Sequence, residues 1–389
     1  MNVTADYLGQ LVLSQLSRQC PPPIPEGLDL DHTILLSNAN HMDYMILGGL
    51  LKAPNLPEQY QQLLSRYVFQ SLQRTLVQVN ELKDLIKTCE EKKIRNQPMK
   101  GSCLKFMYPS PEFREMSDID ILIDQDRMDE ISQVLTSKGY TLQQSVRQHD
   151  VYLKPPYMVV EAHRTMYDKT IDKNQFQYFS SFTKTHLREG HSCTYDYTPE
   201  DFYVYMMAHM AKHFYARGCG IRNLVDVYVY LKNYRSSLNW DYVNKELETC
   251  GILDFTRHME KMAMIWLDGQ PGNSFYDNLF DYMLNSGIYG KDANGVWSRF
   301  ADTKIQDRNI SAGTLKRWYY FPPLAYMAEL YPWVEDHNWL LPIAWCVRAI
   351  HGVFIKKDRY KQEMLNTIQD RDISVYREIY SKMGLHFKK

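Results

Sequence analysis

The sequence predicts an α+β fold in which a small mixed sheet lies between two largely helical regions. Over residues 1–97 and again over residues 196–389, apolar side chains recur at the three- to five-residue spacing of amphipathic helices. Over residues 98–195 the spacing shortens towards two, which indicates strands. A chain of 389 residues is longer than one compact core normally fills. We therefore expect an N-terminal helical domain, a central α/β domain and a C-terminal helical domain with these boundaries.

The helical regions contain clear breaks, starts and apolar stripes. A long helix is predicted to extend to about residue 93, because one face carries Leu63, Val68, Leu72, Leu76, Val79, Leu82 and Leu85. The proline-rich run from Cys20 to Gly27 interrupts the pattern before it. Later in the chain, Thr198-Pro199 is typical of a helix start. Helical periodicity then recurs at 203–216, 222–234, 253–267, 274–286, 339–350 and 357–382.

The central region has one strand with a fully apolar face. From Asp118 to Ile123, isoleucine alternates with Asp, Asp and Leu. A helix is predicted next, with Asp126 as its N-cap and Gly139 just after its end. Strand patterns follow at 140–146 and 149–154, and Pro155-Pro156 separates them from a last strand at 157–163.

Composition argues against several classes of protein. The formal net charge is -1, so no overall charge favours nucleic acid or an anionic membrane. The seven cysteines are scattered and form no Cys-x-x-Cys pair, which favours free thiols in a reducing compartment. The N-terminus does not resemble a secretory signal, and the apolar stretch 339–355 is shorter than the roughly 20 residues of a membrane-spanning helix. We expect a cytoplasmic protein with no membrane partner and no strong nucleic-acid signature.

Three acidic residues of the central region predict a metal site. Asp118 and Asp120 share one strand face with their Cα atoms about 7 Å apart, and short carboxylates so placed can share one or two divalent ions. Glu161 lies in a strongly apolar strand, where an unpaired carboxylate is costly. Hard oxygen ligands favour Mg²⁺ or Mn²⁺. A calcium loop is excluded, because Ile123 stands where the sharp turn of such a loop requires glycine.

A phosphate-binding turn is predicted just before the aspartates. Lys100-Gly101-Ser102 lies where a short strand gives way to a helix. Glycine lets the backbone approach a phosphate, which the following N–H groups and a serine hydroxyl can bind.

Together these residues resemble the DNA polymerase β-like nucleotidyltransferase superfamily, whose pattern is Gly-Ser opening a helix, Asp-x-Asp on a strand and a third acidic residue on a later strand. More narrowly, residues 99–164 look like the uncharacterised nucleotidyltransferase family NTP_transf_5. In that family a Leu-Lys-Gly segment, a Tyr-Pro loop, an arginine and Asp-Ile-Asp occur in this order. The matching residues here are Met99-Lys-Gly-Ser, Tyr108-Pro, Arg114 and Asp118-Ile-Asp120.

The resemblance implies an ATP-binding or other nucleoside-triphosphate-binding enzyme that transfers a nucleoside monophosphate to a hydroxyl acceptor and releases pyrophosphate. Asp118 and Asp120 would hold both metals, and Glu161 would complete the second site near the attacking hydroxyl. Gly101 and Ser102 would bind the β- and γ-phosphates, with Lys100 and His163 also assigned to the nucleotide. Arg114 either neutralises phosphate charge or forms a salt bridge within its loop.

One further cluster and two other functions stay open from the sequence. His209 and His213 share a helical face with Lys212, but Met210 stands where a zinc protease carries glutamate. Three roles for this cluster stay open: it binds zinc, it packs in the interior, or Lys212 and His213 contact the nucleotide or the acceptor. An Asp-x-Asp glycosyltransferase that uses a nucleotide sugar is the alternative enzyme. A catalytically inactive nucleotide-binding partner module is the non-enzymatic alternative.

Overall fold

The computed structural model describes residues 2–167, 173–179, 182–291, 294, 311–334, 337–350 and 370–385. Helices open the chain: α1 (Val3–Ser17), α2 (Leu30–Asn40), α3 (Asp43–Leu50) and α4 (Glu58–Glu91). The long amphipathic helix predicted from the leucine spacing is confirmed as α4. Its buried side includes Leu64, Leu82 and Leu85.

A five-stranded mixed sheet forms in the middle of the chain and confirms the predicted α+β class. Its strands are β1 (Asn96–Pro98), β2 (Ile119–Ile123), β3 (Thr141–Ser145), β4 (His149–Lys154) and β5 (Met158–His163), in the spatial order β1-β2-β5-β4-β3. Strands β2 and β5 are parallel, whereas the other neighbouring pairs are antiparallel. The Asp-x-Asp strand and the strand that carries Glu161 therefore lie side by side.

Two helices follow strands of this sheet, namely α5 (Gly101–Leu104) after β1 and α6 (Met128–Ser137) after β2. Ile131 and Leu135 of α6 are buried in one hydrophobic core with the isoleucines of β2. The prediction that Asp126 caps α6 is wrong. Asp126 is exposed in a 3₁₀ turn, and α6 begins after Arg127 without a side-chain cap.

The rest of the described chain is a two-stranded ribbon and a series of helices. They are α7 (Lys173–Tyr178), β6 (Thr185–Leu187), β7 (Tyr195–Tyr197), α8 (Pro199–Arg217), α9 (Arg222–Tyr234), α10 (Trp240–Thr249), α11 (Leu253–Asp268), α12 (Ser274–Ser286), α13 (Ala312–Tyr320), α14 (Leu324–Leu330), α15 (Leu341–Ile350) and α16 (Asp370–Met383). Helix α8 begins as predicted, because the Thr198 hydroxyl accepts a hydrogen bond from the Asp201 N–H at 3.1 Å. The other predicted helices are confirmed in α9, α11, α12 and α15. The part of the 357–382 prediction before residue 370 lies outside the described residues.

Helices from the first and last thirds of the chain share one large hydrophobic core. Ala5 of α1 is buried there together with Trp266 of α11, whose indole N–H donates to the Ala5 carbonyl at 2.9 Å. None of the helices in the described residues has the length and the apolar character that crossing a bilayer requires. The division into three domains stays a prediction.

Candidate active site

Three predicted carboxylates meet on one face of the sheet. Asp120 of β2 pairs in register with Glu161 of β5, and Asp118 lies two residues earlier, on the same face as Asp120. Oxygen atoms of Asp118, Asp120 and Glu161 all lie within 4.8 Å of one another. Ile119 and Ile121, on the opposite face, are fully buried and hold the strand against the core. We call Asp118, Asp120 and Glu161 the carboxylate group.

Two predicted nucleotide-binding side chains contact the carboxylate group directly. Lys100 donates from Nζ to Asp120 Oδ1 at 2.7 Å. His163 Nε2 lies 2.8 Å from the same oxygen and 3.3 Å from Glu161 Oε2. Asp120 and His163 are both buried. The excess negative charge of the carboxylate group is thus partly balanced by protein donors.

The charges of this group change the pKa values of its members. Burial, reinforced by the Asp120 charge, raises the pKa of Asp118 to about 7. Burial alone would also raise the pKa of Asp120, but Lys100 and His163 outweigh it and lower that pKa below its usual range. Burial favours a neutral Lys100, yet the three carboxylates outweigh burial and raise the pKa of Lys100. A concentration of negative charge of this kind attracts divalent cations.

Lys100 has an unusual backbone conformation. Its φ is 46° and its ψ is -120°, a combination outside the regions that residues with a Cβ normally occupy. Such conformations cost on the order of 1–3 kcal/mol and are typical of functional sites whose surroundings fix them. This turn joins β1 to α5 and brings both the Lys100 side chain and Gly101 to the same cleft.

The Gly101-Ser102 pair is divided between the cleft and the interior. Gly101 lines the cleft, and a Cβ atom at this position would lie 2.3 Å from Arg114 Nη1 and 2.9 Å from Met116 Cγ. Glycine is therefore required by the close approach of a guanidinium. Ser102 is buried, its N–H donates to the Met99 carbonyl, and its Oγ has no hydrogen-bond partner among the described residues. Its N–H is thus already used within the turn.

Two buried arginines, Arg114 and Arg222, line the same cleft, and we call them the arginine pair. Arg114 binds Asp226 in a bidentate manner, with Nε–Oδ1 and Nη2–Oδ2 distances of 3.1 and 3.0 Å. The Tyr108 hydroxyl donates to Asp226 Oδ1 at 2.7 Å. Arg114 therefore does form a salt bridge, but the prediction that its partner lies within its own loop is wrong, because the partner is Asp226 of α9. Its role in neutralising phosphate charge stays a prediction.

Arg222 has no carboxylate of its own within hydrogen-bonding distance in the described structure. It donates from Nη1 to the Glu115 carbonyl at 2.9 Å, and its buried Nε has no partner among the described residues. Burial, and then repulsion by Arg114, lower the pKa of Arg222 to about 10. Of the two guanidinium groups only that of Arg114 binds a carboxylate in the described structure, which leaves positive charge at the cleft. The helical periodicity at 222–234 places Arg222 at the start of a helix, but no motif of the sequence marks it as a cleft residue.

The cleft has a volume of about 290 Å³. The carboxylate group, Lys100, Gly101 and the arginine pair all line it, together with residues of α8 and of the segment after α12. Anionic oxygen donors and fixed cations thus face a single space. Such a space suits a ligand that carries metal-bound phosphates.

The chain matches a family model described as an uncharacterised nucleotidyltransferase over residues 26–268, which is more than half of its length. This chain belongs to that nucleotidyltransferase family. The match includes the carboxylate group and the arginine pair, and it reaches well beyond the segment 99–164 that carried the resemblance in the sequence. None of the curated proteins and none of the solved structures matches the chain.

The histidine cluster on α8 reaches the cleft only in part. His209 and His213 line the cleft, and their Nε2 atoms are 3.0 Å apart, so one ring donates to the other. The ammonium group of Lys212 lies 5.5 Å from the centre of the Tyr167 ring. Among the described residues, the groups of three or more histidine, cysteine or acidic ligands that come together include neither His209 nor His213. The described structure therefore gives a zinc site at this pair no third ligand.

A hydrogen-bonded trio at the cleft had no sequence signal. The Tyr289 hydroxyl donates to Ser117 Oγ at 2.8 Å, and Ser117 Oγ is 3.2 Å from His41 Nδ1. Burial, followed by the charges of nearby arginines, lowers the pKa of His41 to about 4, so its ring is neutral at pH 7 and Nδ1 is able to accept from the Ser117 hydroxyl. The two hydrogen bonds hold Ser117, the residue directly before Asp118, in place. His41 lies 76 residues and Tyr289 lies 172 residues from Ser117 along the chain, and no local sequence pattern reveals contacts over such separations.

Proposed function

We propose that this protein is a cytoplasmic enzyme that transfers a nucleoside monophosphate from a nucleoside triphosphate, ATP being the first candidate, to a hydroxyl of a small-molecule or protein acceptor. Pyrophosphate is the second product. The observation that carries this proposal is the cleft itself, where three carboxylates and two arginines line one space. Membership of a nucleotidyltransferase family supports the reaction class.

The carboxylate group fits a divalent metal by its chemistry. Its donors are carboxylate oxygens, which Mg²⁺ and Mn²⁺ prefer, and their mutual distances of up to 4.8 Å allow them to share one or two ions. When bound, such ions polarise the phosphate and lower the pKa of an attacking hydroxyl. Asp118 and Asp120 would hold both ions, and Glu161 would complete the site on the acceptor side.

The arginine pair supports binding of the β- and γ-phosphates. Arg114 lies against Gly101, so a phosphate next to the Gly101 backbone meets a fixed guanidinium. Arg222 has a buried Nε without a partner in the described structure, and Lys100 adds a third cation near Asp120. Preorganised cations that meet the charge developing on the leaving pyrophosphate are the main protein contribution to phosphoryl-group transfer.

The remaining cleft residues favour a polar acceptor. Tyr289 is 64% exposed, and its hydroxyl is bound to Ser117 beside the carboxylate group. His213 lies on α8 and also lines the cleft. In this arrangement Glu161 would accept the proton of the attacking hydroxyl, while His213 and Tyr289 contact the acceptor.

The first test is a thermal-shift panel of ATP, GTP, CTP, UTP and two nucleotide sugars, each with Mg²⁺, Mn²⁺ or EDTA. We expect a metal-dependent rise in melting temperature with a triphosphate. A rise only with a nucleotide sugar would instead support the glycosyltransferase. No rise with any nucleotide would contradict the proposal.

The second test uses the triphosphate selected by the first test, labelled on one phosphate, and measures where the label goes. With a label on the α-phosphate we expect transfer to the protein or to a fraction of cell extract. With a label on the γ-phosphate we expect all of the released label to be in pyrophosphate. Transfer of the γ-label would identify a kinase, and binding without transfer of either label would identify the inactive partner module.

A further inference from the structure

Two histidines extend the ligand set of the active site onto a third strand. His163 of β5 pairs in register with His149 of β4, and Glu161 lies two residues before His163. Because side chains alternate along strands, His149, Glu161 and His163 share the sheet face of the carboxylate group. The imidazole rings of His149 and His163 lie next to each other, with centroids 4.9 Å apart.

The donor atoms of these three residues converge. His163 Nε2 lies 3.3 Å and His149 Nε2 lies 3.9 Å from the same atom, Glu161 Oε2. One ligand atom from each residue lies within 4.8 Å of the other two. Ligands at about 2.1 Å from a divalent ion are themselves about 3–3.5 Å apart in tetrahedral or octahedral geometry. The two distances to Glu161 Oε2 are close to this range, and the remaining separation, of at most 4.8 Å, would have to shorten when a metal ion binds.

Both imidazoles direct the same nitrogen towards this point. The buried Nδ1 atoms of His149 and His163 have no hydrogen-bond partner among the described residues. Their ion-pair contacts are with Glu161, and for His163 also with Asp120, through Nε2. A metal ion bound to His163 Nε2 would therefore replace the hydrogen bond from this nitrogen to Asp120. Two rings that serve only to pack would not both direct a nitrogen towards one half-buried carboxylate oxygen.

We propose that His149, Glu161 and His163 form a second divalent-metal site that shares Glu161 with the carboxylate group. Imidazole nitrogen binds Mn²⁺, Co²⁺ and Zn²⁺ far better than it binds Mg²⁺, which prefers oxygen. The site therefore selects a transition metal, while Asp118 and Asp120 accept Mg²⁺ or Mn²⁺. This inference adds a metal position to the proposed active site, and it does not depend on nucleotidyl transfer.

Pulsed electron paramagnetic resonance of Mn²⁺ bound to the full chain, without nucleotide and without an affinity tag that contains histidine, tests the site. We expect ¹⁴N hyperfine coupling from imidazole in the wild type. His149→Gln removes part of this coupling and weakens binding of one Mn²⁺ by about tenfold or more. The control His186→Gln, an exposed histidine of β6, changes neither quantity.

Asp118→Asn separates this inference from the proposed function. It removes an oxygen ligand of the carboxylate group, so we expect it to abolish nucleotide-linked metal binding and to leave the ¹⁴N coupling in place. Absence of ¹⁴N coupling in the wild type would overturn the inference, even where nucleotide binds normally with metal. Nitrogen coupling without any nucleotide binding would support this site and refute the proposed transfer reaction.

Discussion

The two charged walls of the cleft are built in opposite ways. In the carboxylate group, Asp118, Asp120 and Glu161 repel one another and are partly balanced by Lys100 and His163. In the arginine pair, Arg114 is tied to Asp226 by two hydrogen bonds, and Tyr108 secures the same carboxylate. The first wall is arranged to accept cations, whereas the second is rigid before any ligand arrives. Changes in the first wall should therefore affect chemistry, and changes in the second should affect stability first.

The largest effect is expected from Asp118→Asn. It removes one oxygen donor of the carboxylate group while the ion pair between Lys100 and Asp120 stays intact. We expect transfer of the α-label to fall by about 10²–10³-fold or more. The control Asp126→Asn, an exposed aspartate beyond the end of β2, should keep activity within about twofold. Equal loss in both variants would contradict a metal role for Asp118.

Asp226→Asn tests the second wall. Arg114 and Tyr108 would lose a buried charged acceptor, so we expect the free energy of unfolding to fall by about 3–5 kcal/mol, measured by urea denaturation. Asp268 offers a matched control, because it accepts from Tyr228 and Lys232 at the surface. Asp268→Asn should cost less than about 1 kcal/mol. Similar costs for the two variants would contradict a contribution of the buried Arg114–Asp226 ion pair to the free energy of unfolding.

Gly101→Ala probes the contact between the turn and the second wall. The added methyl group would collide with Arg114, which Asp226 holds in place, so we expect a loss of about 1–3 kcal/mol in the free energy of unfolding. Binding of triphosphate should weaken as well. Gly48→Ala in α3 is the control, because the nearest atom, Val68 Cγ2, is 4.0 Å from the new Cβ. That variant should be neutral or stabilised by up to about 1 kcal/mol.

Glu115, whose carbonyl binds Arg222 of the second wall, has a buried carboxyl group that is costly to ionise. Burial, and then the charge of Asp43, raise its pKa from 4.5 to about 7. The folded state thus binds a proton that the unfolded state releases, so the free energy of unfolding falls as the pH rises from about 4.5 to about 7. Glu115→Gln should reduce this slope by the contribution of one group, because Asp118 titrates in the same range, and it should add about 1–3 kcal/mol above pH 7. The exposed Glu26→Gln control should keep the slope. An unchanged slope in Glu115→Gln would contradict the assignment.

Local patterns predicted much of the fold and the three carboxylates that the structure brings together in the candidate site. The length of α4, the Thr198 cap and the strand at Asp118–Ile123 rest on short-range signals, and each was confirmed. The predicted apolar stripe of α4 was correct only in part, because Leu82 and Leu85 are buried whereas Leu76 is exposed. The partner of Arg114 lies 112 residues away, and that of Ser117 lies 76 residues away. Such pairs depend on how helices pack on the sheet, which no local spacing encodes. His149 had a weak signal, since it begins the strand beside that of Glu161.

The most direct test of the central claim compares the affinities of the nucleoside triphosphate, diphosphate and monophosphate by calorimetry, with Mg²⁺ or with EDTA. If the triphosphate lies between the carboxylate group and the arginine pair, affinity should fall at each loss of a phosphate, and only when Mg²⁺ is present. Arg222→Gln should then reduce triphosphate affinity by about tenfold and leave monophosphate affinity unchanged. Equal affinity for the three nucleotides, or binding that EDTA does not change, would contradict the claim that this cleft binds a metal-bound triphosphate.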